Sequence, residues 1–268
     1  MSLKEFKSRT IRAGGNAKTV KGDDVYQTAI MYLAPHNAAF GDGLRGTVCP
    51  MAITAGCVDG CLFTAGRAAF TPSINPARIA KTRRYLKDRG AFMAELVHDL
   101  ELFVAHCKRL GVKPACRLNG TSDVQWEVGH ACTRKGDLFL SIFDAFPEVQ
   151  FYDYTKIVKR VRRVLPANYS LVLSYSAANA DYADSVLDAA SDTGVNVAIV
   201  YRTKALRDQF IAEGAHSLGR VGFGFRAMKR QVIDGDQTDM RFMDPQGVIV
   251  GLYAKGSAKR DTSGFVLG

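Results

Sequence analysis

Cys49, Cys57 and Cys61 place three thiols in thirteen residues of CPMAITAGCVDGCLFTAGR, with seven residues between the first two and three between the last two. Thiols this dense can ligate zinc, pair as disulfides, pack as small buried hydrophobes, or cradle an iron–sulfur cluster. Structural zinc takes four ligands, usually as cysteine or histidine pairs roughly two to four residues apart. Three thiols leave the fourth place to His36, His130 or Cys132, none of which forms a second pair. A [4Fe–4S] cluster on three cysteines instead leaves one iron open to a small molecule.

Other reactive side chains gather where runs of β-branched and aromatic residues end. RLNGTSD supplies Asn119, Ser122 and Asp123; VQFYDYTK supplies Asp153, Tyr154 and Lys156; SLVLSYS and the residues after it supply Ser174 and Asn179. Several successive strands opening into Ser, Asn, Asp, Tyr and Lys predict a shared polar pocket. Within it Asp153, Tyr154 and Lys156 are the candidates for proton transfer, and Asn119, Ser122, Asp123, Ser174 and Asn179 for orienting a cofactor or substrate. The bland alternative is that NGTSD is a capping turn and that the tyrosines line a rim with satisfied hydroxyls. In VIDGDQTDMRFMDP, Asp234, Asp236, Asp239 and Asp244 crowd around Arg241; the choice is between a divalent cation and a turn with an internal ion pair.

The elements that must position these groups alternate. Residues 25–33 read as a first strand, with the cysteine loop directly after it. Helices follow at 76–89 and 91–110, the second stopped by Gly111 and Pro114. Then come a strand at 115–122, a helix near 135–145, strands at 149–155 and 170–176 separated by a short basic helix, and a helix near 181–192. A strand at 195–201, a helix at 204–213 and strands at 230–234 and 248–254 complete the series. This order predicts an α/β fold with parallel strands, a complete or partial (β/α) barrel, and the cysteine loop at its working face. A doubly wound open sheet is the runner-up. No glycine-rich dinucleotide fingerprint follows the first strand. GGNAKT at 14–19 lacks the ending of a phosphate loop.

At 268 residues the chain is long enough for one large domain, read as a basic arm over 1–24 and a single α/β domain over 25–268. No apolar run of about 18 residues and no secretory leader is present, which predicts a cytoplasmic protein away from membranes. A reducing compartment puts disulfides last among the fates of the six cysteines. Cys107 and Cys116 read as buried hydrophobes, and His98 and His106 as surface or packing residues. Lys and Arg outnumber Asp and Glu by 36 to 26, a net +10, so nucleic acid or an anionic small molecule is the favoured partner class. The charge concentrates in the arm, in 81–89 and in 156–163, read as a loose arm that is loop until something docks onto it and as solvated helix faces, with nucleic-acid contact as the sharper alternative.

Two resemblances bear on function. A thiolate loop after the first strand of a partial barrel resembles the radical S-adenosylmethionine superfamily, although that superfamily's usual spacing is three and two residues. By the same likeness RLNGTSD falls where those enzymes meet the cofactor's methionine part, with Asp123 as the nearest carboxylate. The ordered series GNAKTVKGD, CPMAITAGCVDGCLFTAGR, RLNGTSDVQWE, VQFYDYTK, VIDGDQTDMRF, DPQGVIVGLYAKG and SGFV resembles bacteriophage proteins of the gene product 88 family over nearly residues 15–266. That likeness implies a phage origin and a host-cytoplasm setting rather than a reaction. Three functions follow as expectations. The first is an iron–sulfur protein using S-adenosylmethionine on a nucleotide, nucleic acid or other anionic substrate. The second is a zinc-stabilised nucleic-acid-binding protein without catalysis, and the third a metal-free protein that binds a host protein.

Overall fold

The computed structural model describes residues 4–14, 25–219 and 227–268. Most of the arm's glycine-rich stretch, and with it GGNAKT beyond Gly14, lies outside the described residues.

The strands are β1 (Phe6–Lys7), β2 (Ile11–Ala13), β3 (Tyr26–Met31), β4 (Lys113–Arg117), β5 (Cys132–Arg134), β6 (Asp137–Phe139), β7 (Gln150–Thr155) and β8 (Tyr169–Ser174). They continue as β9 (Val197–Tyr201), β10 (His216–Gly219), β11 (Ala227–Arg230), β12 (Val232–Asp234), β13 (Ile249–Tyr253) and β14 (Val266–Leu267). Helices are α1 (Ile74–Lys87), α2 (Arg89–Leu110), α3 (Ile142–Ala145), α4 (Val158–Val161), α5 (Ala180–Thr193) and α6 (Lys204–Ala212). Ten strands form one sheet in the order β1-β2-β3-β4-β7-β8-β9-β13-β12, with β14 also on β9. From β3 to β12 every pairing is parallel.

The α/β expectation holds; a closed barrel does not appear, because among the described residues no pairing joins β12 to β1 or β3. The sheet nevertheless curls. Phe242 packs 5.0 Å from the ring of Tyr26 on β3, while Arg241 beside it abuts Gly235 at the end of β12. Those outer strands are six spacings apart, roughly 29 Å in a flat sheet at ~4.8 Å per strand. Residues 235–244 therefore run across the inner face of a bent sheet and cover it.

Helices cover the opposite, outer face. α2 begins on an Asp88 cap that accepts from the Ala91 N–H and ends at left-handed Gly111. Its apolar stripe, Leu96, Leu100 and Phe103, is 0% exposed and packs in one core with Met31, Cys116 and Phe151, each such side chain contributing roughly 1.5–3 kcal/mol. Strand alternation divides β7 accordingly: Phe151, Asp153 and Thr155 face the helices, and Tyr152, Tyr154 and Lys156 face inward.

Two expectations need correction, and one observation bears on the basic segments. The arm is not loop throughout: β1 and β2 extend the sheet antiparallel, held where the Thr10 N–H and hydroxyl donate to buried Asp99 on α2 and Lys81 donates to the Thr10 carbonyl. The helix expected near 135–145 is the β5–β6 hairpin followed by one turn of helix, since Lys135 and Gly136 take positive φ at its two-residue turn. The basic segments are also ion-paired within the chain: Arg160 with Asp123 and Glu127, Arg162 with Asp192, Arg84 with Glu95, Arg83 with Asp42. Among the described residues no helix is long and apolar enough to cross a membrane.

Candidate functional site: a thiol loop at the strand ends

β3 leads into residues 32–73, which contain the three cysteines and lie at the C-terminal edge of the parallel strands. Two neighbouring segments fix this loop. From the β4 side, Thr121 donates to the Leu33 carbonyl, the Asp123 N–H donates to the Val48 carbonyl, and the Cys49 thiol points to the Thr121 carbonyl at 3.7 Å. Gly120 is required there, since a Cβ would stand 2.6 Å from the Met31 carbonyl oxygen.

From the other side comes the chain's C-terminal segment. β8 and β9 pair only at Val197 and Ala198; beyond them β14 takes over the edge of β9 at Val200 and Tyr201. The parting strands thus admit residues 256–267 beside the loop. Ser176 donates to the Ala55 carbonyl at 2.8 Å, Ser263 to Gly56 at 2.9 Å and Ser257 to Asp59 at 2.5 Å. Gly56 fits only without a Cβ, which would meet Ala178 at 2.6 Å and Ser263 at 2.7 Å. Ser176 falls at the polar end of SLVLSYS, whereas sequence reasoning missed Ser257 and Ser263; SGFV carries Ser263, and two-residue β14 has no periodicity to mark the segment.

None of the six cysteines is in a disulfide, and Cys49, Cys57 and Cys61 are half-buried. Burial pushes the Cys49 thiol up to about 12, and Cys61 and Asp123 add to the shift against the His36 backbone N–H and Lys156. Burial likewise raises Cys61, with Cys57 adding and Lys156 and Arg78 opposing. Burial disfavours the charge on Lys156, but Cys57, Asp123, Cys49 and Cys61 outweigh it and hold its ammonium above the ordinary value. The three thiols and Asp123 thus share one electrostatic neighbourhood centred on Lys156, whose Nζ also lies 5.3 Å from the Phe265 ring centroid. Among the described residues, no three His, Cys, Asp or Glu side chains are gathered so as to hold a metal ion.

The other expected site residues divide. Asp153, Tyr154 and Lys156 are not brought together, because alternation along β7 sends Asp153 to the helix face and the other two inward. Asp153 is fully buried and accepts from the Asn119 backbone N–H at 2.7 Å, the Asn119 amide at 3.2 Å and Tyr169 at 3.0 Å. Burial raises its carboxyl to about 7, against the Asn119 N–H, Arg117, Arg160 and Tyr169. Asn119 also donates to the Val124 carbonyl and accepts from Ser122, the Val124 N–H and Trp126, so its hydrogen-bonding capacity is filled. Asp123 accepts from Thr155, the Lys156 N–H and Arg160. Asn179 caps α5 by accepting from the Tyr182 N–H, and the Ser174 carbonyl receives the Tyr182 hydroxyl. Asn119, Ser122, Asp123 and Asn179 therefore build the walls of the site.

The acidic segment resolves into ion pairs. Asp234 and Asp236 meet the buried Arg207, Asp236 also holds Lys255, Asp239 meets Arg117, and Asp244 alone meets Arg241.

Fold and site define a mixed α/β protein with a large, mostly parallel sheet and a thiol loop pinned at its strand ends. The Gene product 88 family matches residues 1–267, and the chain belongs to this family of phage proteins. No curated protein and no solved structure matches it. The likeness to radical S-adenosylmethionine enzymes gains no support from these comparisons.

Proposed function

We propose that the chain is an iron–sulfur protein whose cluster is held by Cys49, Cys57 and Cys61, on a sheet read as a partial barrel. The observation that carries this reading is the shared neighbourhood of three thiols and Lys156 at the parallel strand ends. The three thiols are the right donor type for such a group, although as they stand they are not gathered around one point. Half-buried thiols lose their protons when a metal takes the protons' place, and soft thiolates suit iron and zinc. Binding would draw residues 49–61 together, while Lys156 offsets the negative charge of the thiolates. Bound there, a cluster on three cysteines supplies an iron site open to a small molecule. S-adenosylmethionine is not included, because Asn119, Ser122, Asp123 and Asn179, expected to orient it, are engaged within the protein.

One observation favours zinc as the second reading. The His36 backbone N–H donates to the Cys49 sulfur, and its imidazole Nδ1 is buried without a partner, so this residue lies where a fourth ligand belongs. Iron, acid-labile sulfide and zinc analysis of anaerobically prepared full-length protein decides. The expected result is iron and sulfide with broad absorbance near about 400 nm, lost in the Cys49→Ala/Cys57→Ala/Cys61→Ala protein. Stoichiometric zinc without iron selects the second reading, and retention of neither metal after reconstitution removes both.

A further inference from the structure

The inner face beneath Lys156 contains donors that nothing accepts. One step down β7, about 7 Å from Lys156 along the strand, stands Tyr154. Arg117 on β4 lays its guanidinium 4.8 Å from the Tyr154 ring centroid and pairs with Asp239 at 3.0 Å. Arg241, from the segment that covers this face, pairs with Asp244 at 3.2 Å and donates to the Thr238 carbonyl. The Nε–H groups of Arg117 and Arg241, the Arg241 Nη1 and the Tyr154 hydroxyl are buried and have no hydrogen-bond partner, and the same holds for Asp244 Oδ2 on the acceptor side. The Arg241 side chain is only 1% exposed.

Buried donors carry their full desolvation penalty unless an acceptor meets them, and native interiors seldom leave several together. Both carboxylates of the cluster already face a guanidinium, and of these two only Asp244 keeps a buried oxygen without a hydrogen bond, against four unmet donors, so acceptor oxygens are in deficit. Two guanidinium edges and a phenol match an oxyanion in number and charge. Arg117 keeps 12% side-chain exposure and Tyr154 is half-buried, so the cluster reaches the surface although the unmet donor atoms themselves are buried.

We infer that the inner face beneath Lys156 binds the oxyanion of a small molecule, a carboxylate or a phosphate, through Arg117, Arg241 and Tyr154. Its use as the substrate's anchoring group rests on the thiolate-centre reading; the binding itself does not.

Isothermal titration of the metal-free full-length protein with acetate and, separately, with inorganic phosphate tests the inference and tells the two sources apart. Saturable binding of one of them is expected, weakened about fivefold by Tyr154→Phe and about tenfold or more by Arg117→Lys, which keeps the charge but loses the Nε–H. The triple cysteine variant should bind within about twofold of the wild type, which separates this result from any failure of the metal reading. No binding of either anion at about 20 mM overturns the inference. So does equal affinity in both substituted proteins, or a crystal structure grown with the anion that shows only ordered water between these three side chains.

Discussion

Arg160 and Arg117 lie on opposite faces of β7 and complete their hydrogen bonding to different degrees. On the helix side, all five donors of Arg160 have acceptors: Glu127 Oε1 and Oε2, Asp123, Thr155 and the Tyr169 hydroxyl. On the inner side, Arg117 reaches Asp239 and leaves its Nε–H unmet, and Arg241 beside it does the same. A saturated buried guanidinium has no capacity left for a ligand, so the Arg160 cluster is framework. It ties the 119–127 segment to β7, and Asp123 in turn holds the backbone at Lys156. The inner cluster is also largely buried but incomplete, which is the condition in which a polar ligand gains most from binding.

The largest expected effect follows from breaking the saturated side. Arg160→Met keeps the volume but leaves Asp123 and Glu127 buried opposite no cation, at a cost of about 3–5 kcal/mol in urea denaturation. A loss under about 1 kcal/mol would mean that Arg160 is not framework, and the contrast between the faces would collapse.

Asp153 sharpens the same contrast through pH. An unfolded aspartate loses its proton near about 3.9, whereas folded Asp153 keeps it until about 7. Between those values unfolding releases a proton, so this group's contribution to stability is fully present below the lower value and declines as pH rises through the upper one. Asp153→Asn turns an amide toward the Asn119 donors and should lose about 2–3 kcal/mol near about pH 5. The deficit should shrink toward about pH 7, at no more than about 1.4 kcal/mol per pH unit. Paired denaturation curves across that range check it; a deficit that stays flat with pH would show that folded Asp153 is ionised throughout.

Much of this framework is legible in the residues. VQFYDYT, SLVLSYS and VNVAIVY have the β-branched and aromatic density of buried parallel strands, and the thiols fall after the first parallel strand as their position predicts. What failed to show has physical causes. β1, β2 and β14 span two or three residues each, too few for any period to register. In TRKGDLFL a turn with two positive φ values was hidden inside a helical spacing, although Lys-Gly at its centre is a hairpin signal. Asp153 and Tyr154 are adjacent in sequence and were read as partners, but a strand turns neighbours to opposite faces. The serines that clamp the thiol loop donate to backbone carbonyls, and side-chain-to-backbone bonds across some two hundred residues leave no local pattern.

The smallest effect is the most discriminating, because one chemical change can be made on both faces of the sheet. The Tyr169 hydroxyl donates to Asp153 at 3.0 Å and accepts from Arg160 at 2.7 Å, so Tyr169→Phe strips a bond from the buried carboxyl and one from the charged guanidinium. It should cost about 1.5–3 kcal/mol. Tyr154→Phe removes a hydroxyl with no partner and keeps the ring under Arg117, so its stability should stay within about 0.5 kcal/mol of wild type. Denaturant midpoints at unchanged m-value give both numbers in one experiment. Equal losses would show that the Tyr154 hydroxyl is already satisfied in solution, by water or by the chain, and the inner face would then have no more room for a ligand than the outer.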